Sequence, residues 1–283
     1  HACESIERLG YPVAYLPVDN EGIVSPGMLS SFITDETRLV SVMLVNNEIG
    51  TIEPISELAK VAHSHGAVFH TDAVQAVGHI TINVKELGVD MLSASAHKFN
   101  GPKGIGFIYI KSGTKIFPYA DGGAQEHGMR AGTENIASIV GMAAVSEAAT
   151  AQITAAIIVT AICCPILVSW LHKLEDKFLD VLKLSGIDYI RNGSTNHVPG
   201  NVNVSVRNAS GEMLLHRLDL KGIAISTGSA CDSVNTQVSH VIQAIRVPKE
   251  YAHGTIRVSF GRDNEESDAV EIAQAIVDIL KTK

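Results

Sequence analysis

Between residues 39 and 110, short apolar runs alternate with a stretch whose apolar residues recur at helical spacing. The apolar runs lie within "RLVSVMLVNNEIG", "AVFHTDAVQAVG", "DMLSASAHKF" and "GIGFIYI", and the helix-like stretch is "PISELAKVAHSHG". Short apolar strands that alternate with helices pair mainly in parallel, because a helix carries the chain back across the sheet. The pattern therefore predicts an α/β unit with a mostly parallel sheet and helices on its faces.

The character of the sequence changes after about residue 136. An amphipathic helix, "LHKLEDKFLDVLKLSG", is followed by "GNVNVSV", the helix "SGEMLLHRLDLKG", the strand-like "IAIST", the strand "GTIRVSFGR" and a last helix, "ESDAVEIAQAIVDILK". Antiparallel-looking strands mixed with helices are typical of a smaller α+β domain. We therefore predict a large domain over residues 1–150, then a connecting helix and a small C-terminal domain over residues 151–283.

Composition excludes some classes of protein. The 283 residues carry a formal net charge of −8 and no dense run of Lys or Arg, so we expect no direct nucleic-acid partner. The four cysteines, Cys3, Cys163, Cys164 and Cys231, have the spacing of neither a disulfide framework nor a zinc site. They indicate a reducing compartment, which we expect to be the cytoplasm, or the mitochondrion in a eukaryote.

The first 18 residues and the uncharged segment at residues 153–170 need separate interpretation. The first residues, "HACESIERLGYPVAYLPV", predict a helix that leads into a strand, and we expect the chain to be a fragment whose start lies upstream. Residues 153–170 carry no charge, which puts them at the lower limit of a membrane span. Pro165 and the lack of the usual flanking charges favour a buried connecting helix instead, so we expect no membrane partner.

Several polar side chains follow the apolar parts of the predicted strands. In open α/β sheets a ligand binds beyond the carboxyl ends of the strands, so these side chains are expected to converge there. They are Asn46, Asn47, Asp72, Ser95, His97 and Lys98.

Lys98 and Asp72 have the positions that an imine-bound pyridoxal phosphate requires. A lysine becomes an imine nucleophile in a partly desolvated pocket, and a carboxylate keeps the pyridine nitrogen protonated. The phosphate and the phenolic oxygen need donors, which could be Ser95, His97, Asn47 and Gln75. Each residue alone has an ordinary alternative, because a strand-end Asp usually caps a turn and an isolated Lys is usually solvated.

Three other features could carry chemistry. The glycine-rich loop at residues 122–135 offers Arg130, Thr133 and backbone donors to an anion, or is a simple connection. Cys231 lies between small residues in "TGSACDS", where a thiol would be accessible. Arg257, in a strand, needs an anionic partner, either a substrate carboxylate or a structural Asp or Glu.

A metal centre is the rival interpretation of the first strand ends. It would use His63, His65, His70 and Asp72 as ligands. His63 and His65, however, lie at the end of a predicted helix, where exposed histidines complement the helix dipole. We therefore expect no metal.

Taken together, the motifs resemble the cysteine desulfurases of the NifS/IscS type, class V of the fold-type I pyridoxal phosphate enzymes. The resemblance covers nearly the whole chain except about residues 150–170. It rests, in the family's order, on "LVSVMLVNNEIGTIEPI", "HTDAVQAVG", "SASAHKFNGPKGIGFIYI", "GGAQEHGMRAGTEN", "PGNVNVSV", "STGSACDS" and "AHGTIRVSFGR".

The resemblance implies a role for each candidate residue. Lys98 would hold pyridoxal phosphate as an imine and later remove the α-proton of L-cysteine, and Asp72 would hold the pyridinium proton. Gln75 and Asn47 would contact the ring oxygen, Ser95 and His97 the phosphate, and Thr133 would reach across from the partner of a homodimer. Arg257 would bind the substrate carboxylate, Asn47 would also contact the substrate, and His97 would take part in catalysis. Cys231 would take the sulfur as a persulfide for an acceptor such as an iron–sulfur scaffold protein or for tRNA thiolation.

Two departures from the family pattern leave alternatives open. The phosphate-binding Gly/Thr segment and the ring-stacking histidine of the family would lie upstream of His1, and residues 153–170 replace a helix that is usually charged. A selenocysteine lyase shares the same scaffold and cofactor. An inactive truncated copy that only dimerises or binds partners is the third possibility.

Overall fold

The computed structural model describes residues 2–149, 165–228 and 238–282. Its N-terminal part contains, in order, α1 (Ala2–Arg8), α2 (Pro26–Phe32), β1 (Leu39–Met43), α3 (Ile55–Ser64), β2 (Val68–Asp72), α4 (Val84–Leu87), β3 (Met91–Ser95), a 3₁₀ turn (Ala96–Phe99), β4 (Gly106–Ile110), a second 3₁₀ turn (Glu126–Gly128) and α5 (Ile136–Ala149). The C-terminal part contains α6 (Pro165–Leu184), β5 (Tyr189–Arg191), β6 (Asn201–Val206), α7 (Gly211–Asp219), α8 (His240–Ala244), α9 (Lys249–Ala252), β7 (Thr255–Ser259) and α10 (Glu266–Lys281).

The first sheet has the order β1-β2-β3-β4. β1, β2 and β3 run parallel, and β4 runs antiparallel to β3, so the predicted mostly parallel sheet is confirmed. Phe69 and Thr71 in β2 are fully buried on one face, whereas His70 and Asp72 lie on the other. The apolar face of α3, with Leu58 and Ala59 fully buried, belongs to the same core cluster as Phe69.

The second sheet is antiparallel, with the order β5-β6-β7. Its apolar face carries Val204 and Ile256, which form one core cluster with Phe178 of α6 and Ile276 of α10. This cluster is distinct from the core of the first sheet, as the predicted α+β character of the C-terminal part requires. The domain boundary at residue 150 stays a prediction, because residues 150–164 lie outside the described residues.

The segment from Asn46 to Glu53 joins the two parts, and we call it the joint segment. The Val198 N–H donates to the carbonyl of Gly50 at 2.9 Å, and the Ile52 N–H donates to the carbonyl of Asn196 at 3.1 Å. The Asn203 amide donates to the carbonyl of Glu48 at 3.1 Å. Because the joint segment begins three residues after the end of β1, these bonds fix the C-terminal sheet beside the carboxyl ends of the first sheet.

The structure corrects two sequence predictions and bears on a third. Residues 11–18 form no strand after α1, and "IAIST" contributes only a single bridge, between Ser226 and Arg257. The apolar segment at 153–170 lies outside the described residues up to residue 164, and the described part of α6 starts at Pro165. Within the described residues, no helix has the length and apolar character needed to cross a membrane.

Candidate active site

The structure places four of the predicted site residues at one edge of the first sheet. Asp72 is the last residue of β2 and Ser95 the last residue of β3, and these two strands are parallel neighbours. His97 and Lys98 follow at once in the 3₁₀ turn Ala96–Phe99. The carboxyl ends of adjacent parallel strands meet at one edge, so the carboxylate, hydroxyl, imidazole and amine groups share that edge.

Lys98 has a fixed backbone and an unpaired amine. His79 Nε2 donates to the Lys98 carbonyl at 3.0 Å, and the adjacent Phe99 is buried in the core. The Lys98 side chain is half-buried, and within the described part of the chain its amine has no hydrogen bond or ion pair. A half-buried amine without a carboxylate partner is suited to covalent chemistry, because no ion pair holds its proton. No sequence pattern indicates His79.

The Asp72 carboxylate also lacks a cationic partner among the described residues. Its Oδ1 accepts the N–H of Val74 at 2.9 Å, which shapes the turn after β2. His70 lies on the same face, with Nδ1 2.8 Å from Ser41 Oγ and Nε2 3.2 Å from Ser93 Oγ. Burial lowers the pKa of His70 from its ordinary value, although Asp72 acts in the opposite direction. Asp72 is therefore free to pair with a cationic ligand atom.

The predicted phosphate and ring-oxygen residues are only partly brought together. Ser95 Oγ and His97 Nδ1 lie 2.8 Å apart, which orients the exposed imidazole at the sheet edge. Gln75 is half-buried in the turn after Asp72. Thr133 is exposed before α5 and contacts none of these residues by a hydrogen bond within the described chain.

Arg257 connects the C-terminal sheet to the joint segment. Its Nη1 donates to the carbonyl of Asn47 at 2.7 Å, and its Nη2 donates to Ser226 Oγ at 3.3 Å. Burial lowers its pKa from the ordinary value, and the nearby Glu48 carboxylate opposes that shift. Within the described residues, however, Arg257 has no direct ion pair, so the guanidinium can still receive an anionic ligand.

Glu48 is a functional candidate that was not predicted from the sequence. Its side chain is 1% exposed, and Oε2 has no hydrogen-bond partner among the described residues. Glu48 lies inside the motif "NNEIG", and this was the only sequence signal for it. The motif does not reveal that the side chain is buried. An unpaired buried carboxylate oxygen is costly, and its position near Arg257 gives it a charge to interact with.

Cys231 lies outside the described residues, but the chain on both sides of it is placed. Ser226 pairs with Arg257 through backbone and side chain. A Cβ atom on the buried Gly228 would lie 3.7 Å from Glu48 Oε2 and 3.9 Å from Cβ of Ser239. The segment that contains Cys231 therefore leaves the described structure close to Glu48 and Arg257.

The donor set fits the expected cofactor. An unpaired, half-buried lysine amine suits an aldehyde, and an unpaired carboxylate suits a protonated ring nitrogen. Lys98 and Asp72 supply these groups from neighbouring strand ends, with the Ser95 hydroxyl and the His97 imidazole beside them for an anion.

The rival metal centre does not assemble from its four proposed ligands. His63 Nε2 lies 2.7 Å from Asp90 Oδ2, and His65 Nδ1 lies 3.1 Å from Asp35 Oδ1. His70 is held between two serine hydroxyls. These side chains face different partners, so they do not converge with Asp72.

Comparison with known proteins bears on the family and the fold. The aminotransferase class-V family matches residues 1–272. A cysteine desulfurase IscS from Dictyoglomus turgidum is 46% identical over 99% of this chain and 69% of its own length. Another IscS, from Methanosarcina thermophila, is 44% identical over 99% of this chain and 67% of its own length.

A solved NifS-like protein superposes with a TM-score of 0.86 at 33% identity, over 99% of this chain and 71% of its own length. SspA, solved in complex with cysteine, superposes with a TM-score of 0.72 at 29% identity, over 92% of this chain and 69% of its own length. The fold, the order of the motifs and these relatives agree, and the chain belongs to the aminotransferase class-V family, as a cysteine desulfurase of the NifS/IscS type.

Proposed function

We propose that this chain converts L-cysteine to L-alanine and keeps the sulfur as a persulfide on Cys231. The observation that carries the proposal is the unpaired amine of Lys98, half-buried at a strand end beside the strand that ends in Asp72. A structural lysine in such a place would be expected to pair with a carboxylate, and this one pairs with none in the described chain.

Pyridoxal phosphate is the proposed cofactor, and when bound it supplies an electron sink for the negative charge that develops at the substrate α-carbon. Lys98 would hold it covalently, and the Asp72 carboxylate would retain the proton on its ring nitrogen. The remaining contacts are assigned to Ser95 and His97 for the phosphate, Gln75 and Asn47 for the ring oxygen, and Thr133 of a second subunit.

The chain's own groups then have separate tasks. Arg257 binds the substrate carboxylate through two N–H donors, which orients the α-carbon. The Lys98 amine takes the α-proton as a general base. The Cys231 thiolate attacks the substrate sulfur, so an S–S bond forms while the C–S bond breaks and its electron pair passes to the β-carbon. Protonation of that β-carbon, together with return of a proton to the α-carbon, gives alanine.

A homodimer is the proposed assembly. The stretch around Thr133 exposes large apolar side chains: Phe117 is 93% exposed, Tyr119 99%, Ile136 68% and Val140 61%. Apolar side chains clustered along one segment are typical of a surface that another subunit covers. A second copy there would bring its Thr133 loop to this chain.

The sulfur acceptor is proposed to be a protein such as an iron–sulfur scaffold. The proposed compartment is the reducing cytoplasm, because Cys231 must stay a free thiol.

The purified chain, supplied with pyridoxal phosphate and L-cysteine, tests the proposal. We expect sulfide and alanine in equal amounts under a reductant, and a protein-bound cofactor that resists filtration. Lys98→Ala should abolish retention of the cofactor, and Cys231→Ser should stop sulfide release while retention continues. Lys103→Ala is the matched control, since Lys103 is an exposed lysine of the same loop. Sulfide release that survives Cys231→Ser would refute the persulfide step.

A further inference from the structure

A second cluster of chemically capable side chains lies away from the sheet edge that holds Lys98. Within the described residues, His172, Glu175 and His197 are the one group of at least three whose ligand atoms all lie within 4.8 Å of one another. Glu175 is 2% exposed and the His197 side chain 6%, whereas the His172 side chain is 44% exposed. The cluster is therefore buried on one side and open to solvent on the other.

The fold holds each of these three groups in place. His172 and Glu175 are three residues apart on α6, so their side chains share one helix face. His197 comes from the loop after β5, where Thr51 of the joint segment pairs with it in an isolated bridge. The N–H of Gly200 donates to Glu175 Oε1, which leaves Oε2 facing the two imidazoles.

The orientation of His197 is that of a metal ligand. Its Nδ1 lies 3.0 Å from the carbonyl of Thr195, and since a carbonyl only accepts, Nδ1 carries a proton and donates. Donation from one ring nitrogen to a backbone carbonyl is the contact that fixes the tautomer and orientation of most metal-binding histidines. It directs Nε2 of His197 into the cluster.

Arg191 occupies the space that the ion would take. His197 Nε2 lies 2.7 Å from Glu175 Oε2 and 2.7 Å from Arg191 Nη2, and Arg191 Nη2 lies 3.2 Å from the same carboxylate oxygen. The guanidinium is therefore a cation placed where the imidazole nitrogen and the carboxylate oxygen meet. A metal cation bound by Nε2 and Oε2 would replace it there, with Arg191, whose side chain is 33% exposed, turning out to solvent.

We propose that His172, Glu175 and His197 bind a divalent transition-metal ion of the zinc type. Two imidazole nitrogens and one carboxylate oxygen form a ligand set that zinc prefers, and three protein ligands leave a fourth position for water. The open side at His172 provides that position. The ion would bind α6 to the loop after β5. That loop pairs with the joint segment through the bridge between Thr51 and His197, so the ion would also stabilise the contact between the C-terminal part and the joint segment.

Metal binding to the EDTA-treated full chain tests this site. We expect one equivalent of Zn²⁺ by elemental analysis, a rise in Tm of about 5–10 °C at about a hundred times the Kd, and visible absorption of four-coordinate Co²⁺. Mg²⁺ should do none of this. His172→Ala removes the exposed ligand and should abolish the shift while the metal-free Tm changes little. His216→Ala, at an exposed histidine of α7, should keep the full response.

Two more variants distinguish this metal site from an ion-pair network and from metal binding at the Cys231 thiol. Arg191→Gln removes the competing cation, so the site should bind Zn²⁺ several-fold more tightly. If the cluster is only an ion-pair network, that change will give no gain in Zn²⁺ affinity. Cys231→Ser should leave the stoichiometry and the Tm shift intact. A Zn²⁺ response that is lost in Cys231→Ser or unchanged in His172→Ala would overturn the proposal.

Discussion

Glu53 is a carboxylic acid held almost entirely out of water at the end of the joint segment. Its side chain accepts the N–H of Val24 at 2.9 Å, and the residue is 8% exposed. Burial raises its pKa from 4.5 to about 7; the Val24 bond opposes this rise and Asp19 adds to it. The protonated form is therefore favoured in the folded chain, and the ionised form destabilises it.

This shift makes a prediction about pH. An acid whose folded pKa is raised binds more protons folded than unfolded, so its contribution to stability falls as pH rises between 4.5 and about 7. Glu53→Gln keeps the acceptor and removes the charge. The free energy of unfolding of the variant should exceed that of the natural chain by an amount that grows with pH and reaches about 3 kcal/mol by pH 8.

Urea unfolding of both proteins at pH 5 and pH 8 measures this difference. Glu57→Gln, at an exposed position of α3, is the matched control and should change the free energy of unfolding equally at both pH values. A stability difference between Glu53→Gln and the natural chain that does not grow with pH would show that Glu53 ionises normally.

Residue identity and strand position were enough to predict the sheet-edge residues, but not their partners. Asp72 and Lys98 could be predicted because each lies close after the apolar part of a strand, and the structure puts both at the same edge. Glu48 could not, because its burial depends on the C-terminal part, in which Asn203 binds its carbonyl. Nor could the cluster at Glu175, since His197 lies 22 residues further along the chain and a loop brings it back.

At the scale of elements, the short turn Ala96–Phe99 controls where Lys98 lies. Gly78 approaches this turn so closely that a Cβ on it would lie 2.6 Å from Cβ of Phe99. Its φ of +83° is also a backbone conformation that favours glycine. The contact packs the turn after β2 against the turn after β3, which sets Asp72 and Lys98 relative to each other.

Gly78→Ala should therefore damage the site as well as the fold. The positive φ costs about 1 kcal/mol for alanine, and the collision with Phe99 adds roughly 1–3 kcal/mol of crowding. Because Phe99 must shift, Lys98 moves with it, and retention of pyridoxal phosphate should fall together with the free energy of unfolding.

Gly88 provides the matched control for this substitution. Its φ is +71°, and a Cβ there would meet nothing within 4 Å. Gly88→Ala should show the backbone cost alone and retain the cofactor as the natural chain does. Equal losses in the two variants, measured by urea unfolding and by filtration, would mean that the Phe99 contact has no influence on Lys98.

Secondary structure could be predicted where the pattern of apolar residues determines it. It could not be predicted where a strand depends on pairing with a distant segment. The runs that became β1, β2 and β3 are apolar and closely spaced, and all three formed strands. "IAIST" is also apolar, yet only Ser226 pairs, through one isolated bridge to Arg257 at the outer edge of β7. A strand forms only where several residues lie beside a partner strand, and the segment alone does not reveal how many of them will.

At the scale of the whole molecule, the two larger cores are coupled through the joint segment. Thr51, fully buried, donates its hydroxyl to the carbonyl of Glu21 at 2.7 Å and accepts the N–H of Ser194 at 3.0 Å. The single tryptophan, Trp170, packs against the C-terminal core and donates to the carbonyl of Asn264 at 3.1 Å. Its fluorescence therefore reports on the C-terminal part, whereas circular dichroism reports on both.

Thr51→Val should weaken the coupling between the two cores. Valine has a similar shape but leaves the N–H of Ser194, a buried residue, without a partner, which costs about 2 kcal/mol.

Thr71→Val is the matched control: Thr71 is equally buried, but its hydroxyl only donates to the carbonyl of Val42, its neighbour within the first sheet. In Thr51→Val the fluorescence and circular dichroism midpoints in urea should separate, because one core unfolds before the other. In Thr71→Val and in the natural chain they should coincide. Coincident midpoints in Thr51→Val, with only a general loss of stability, would place the coupling in the backbone bonds of Gly50 and Ile52 instead.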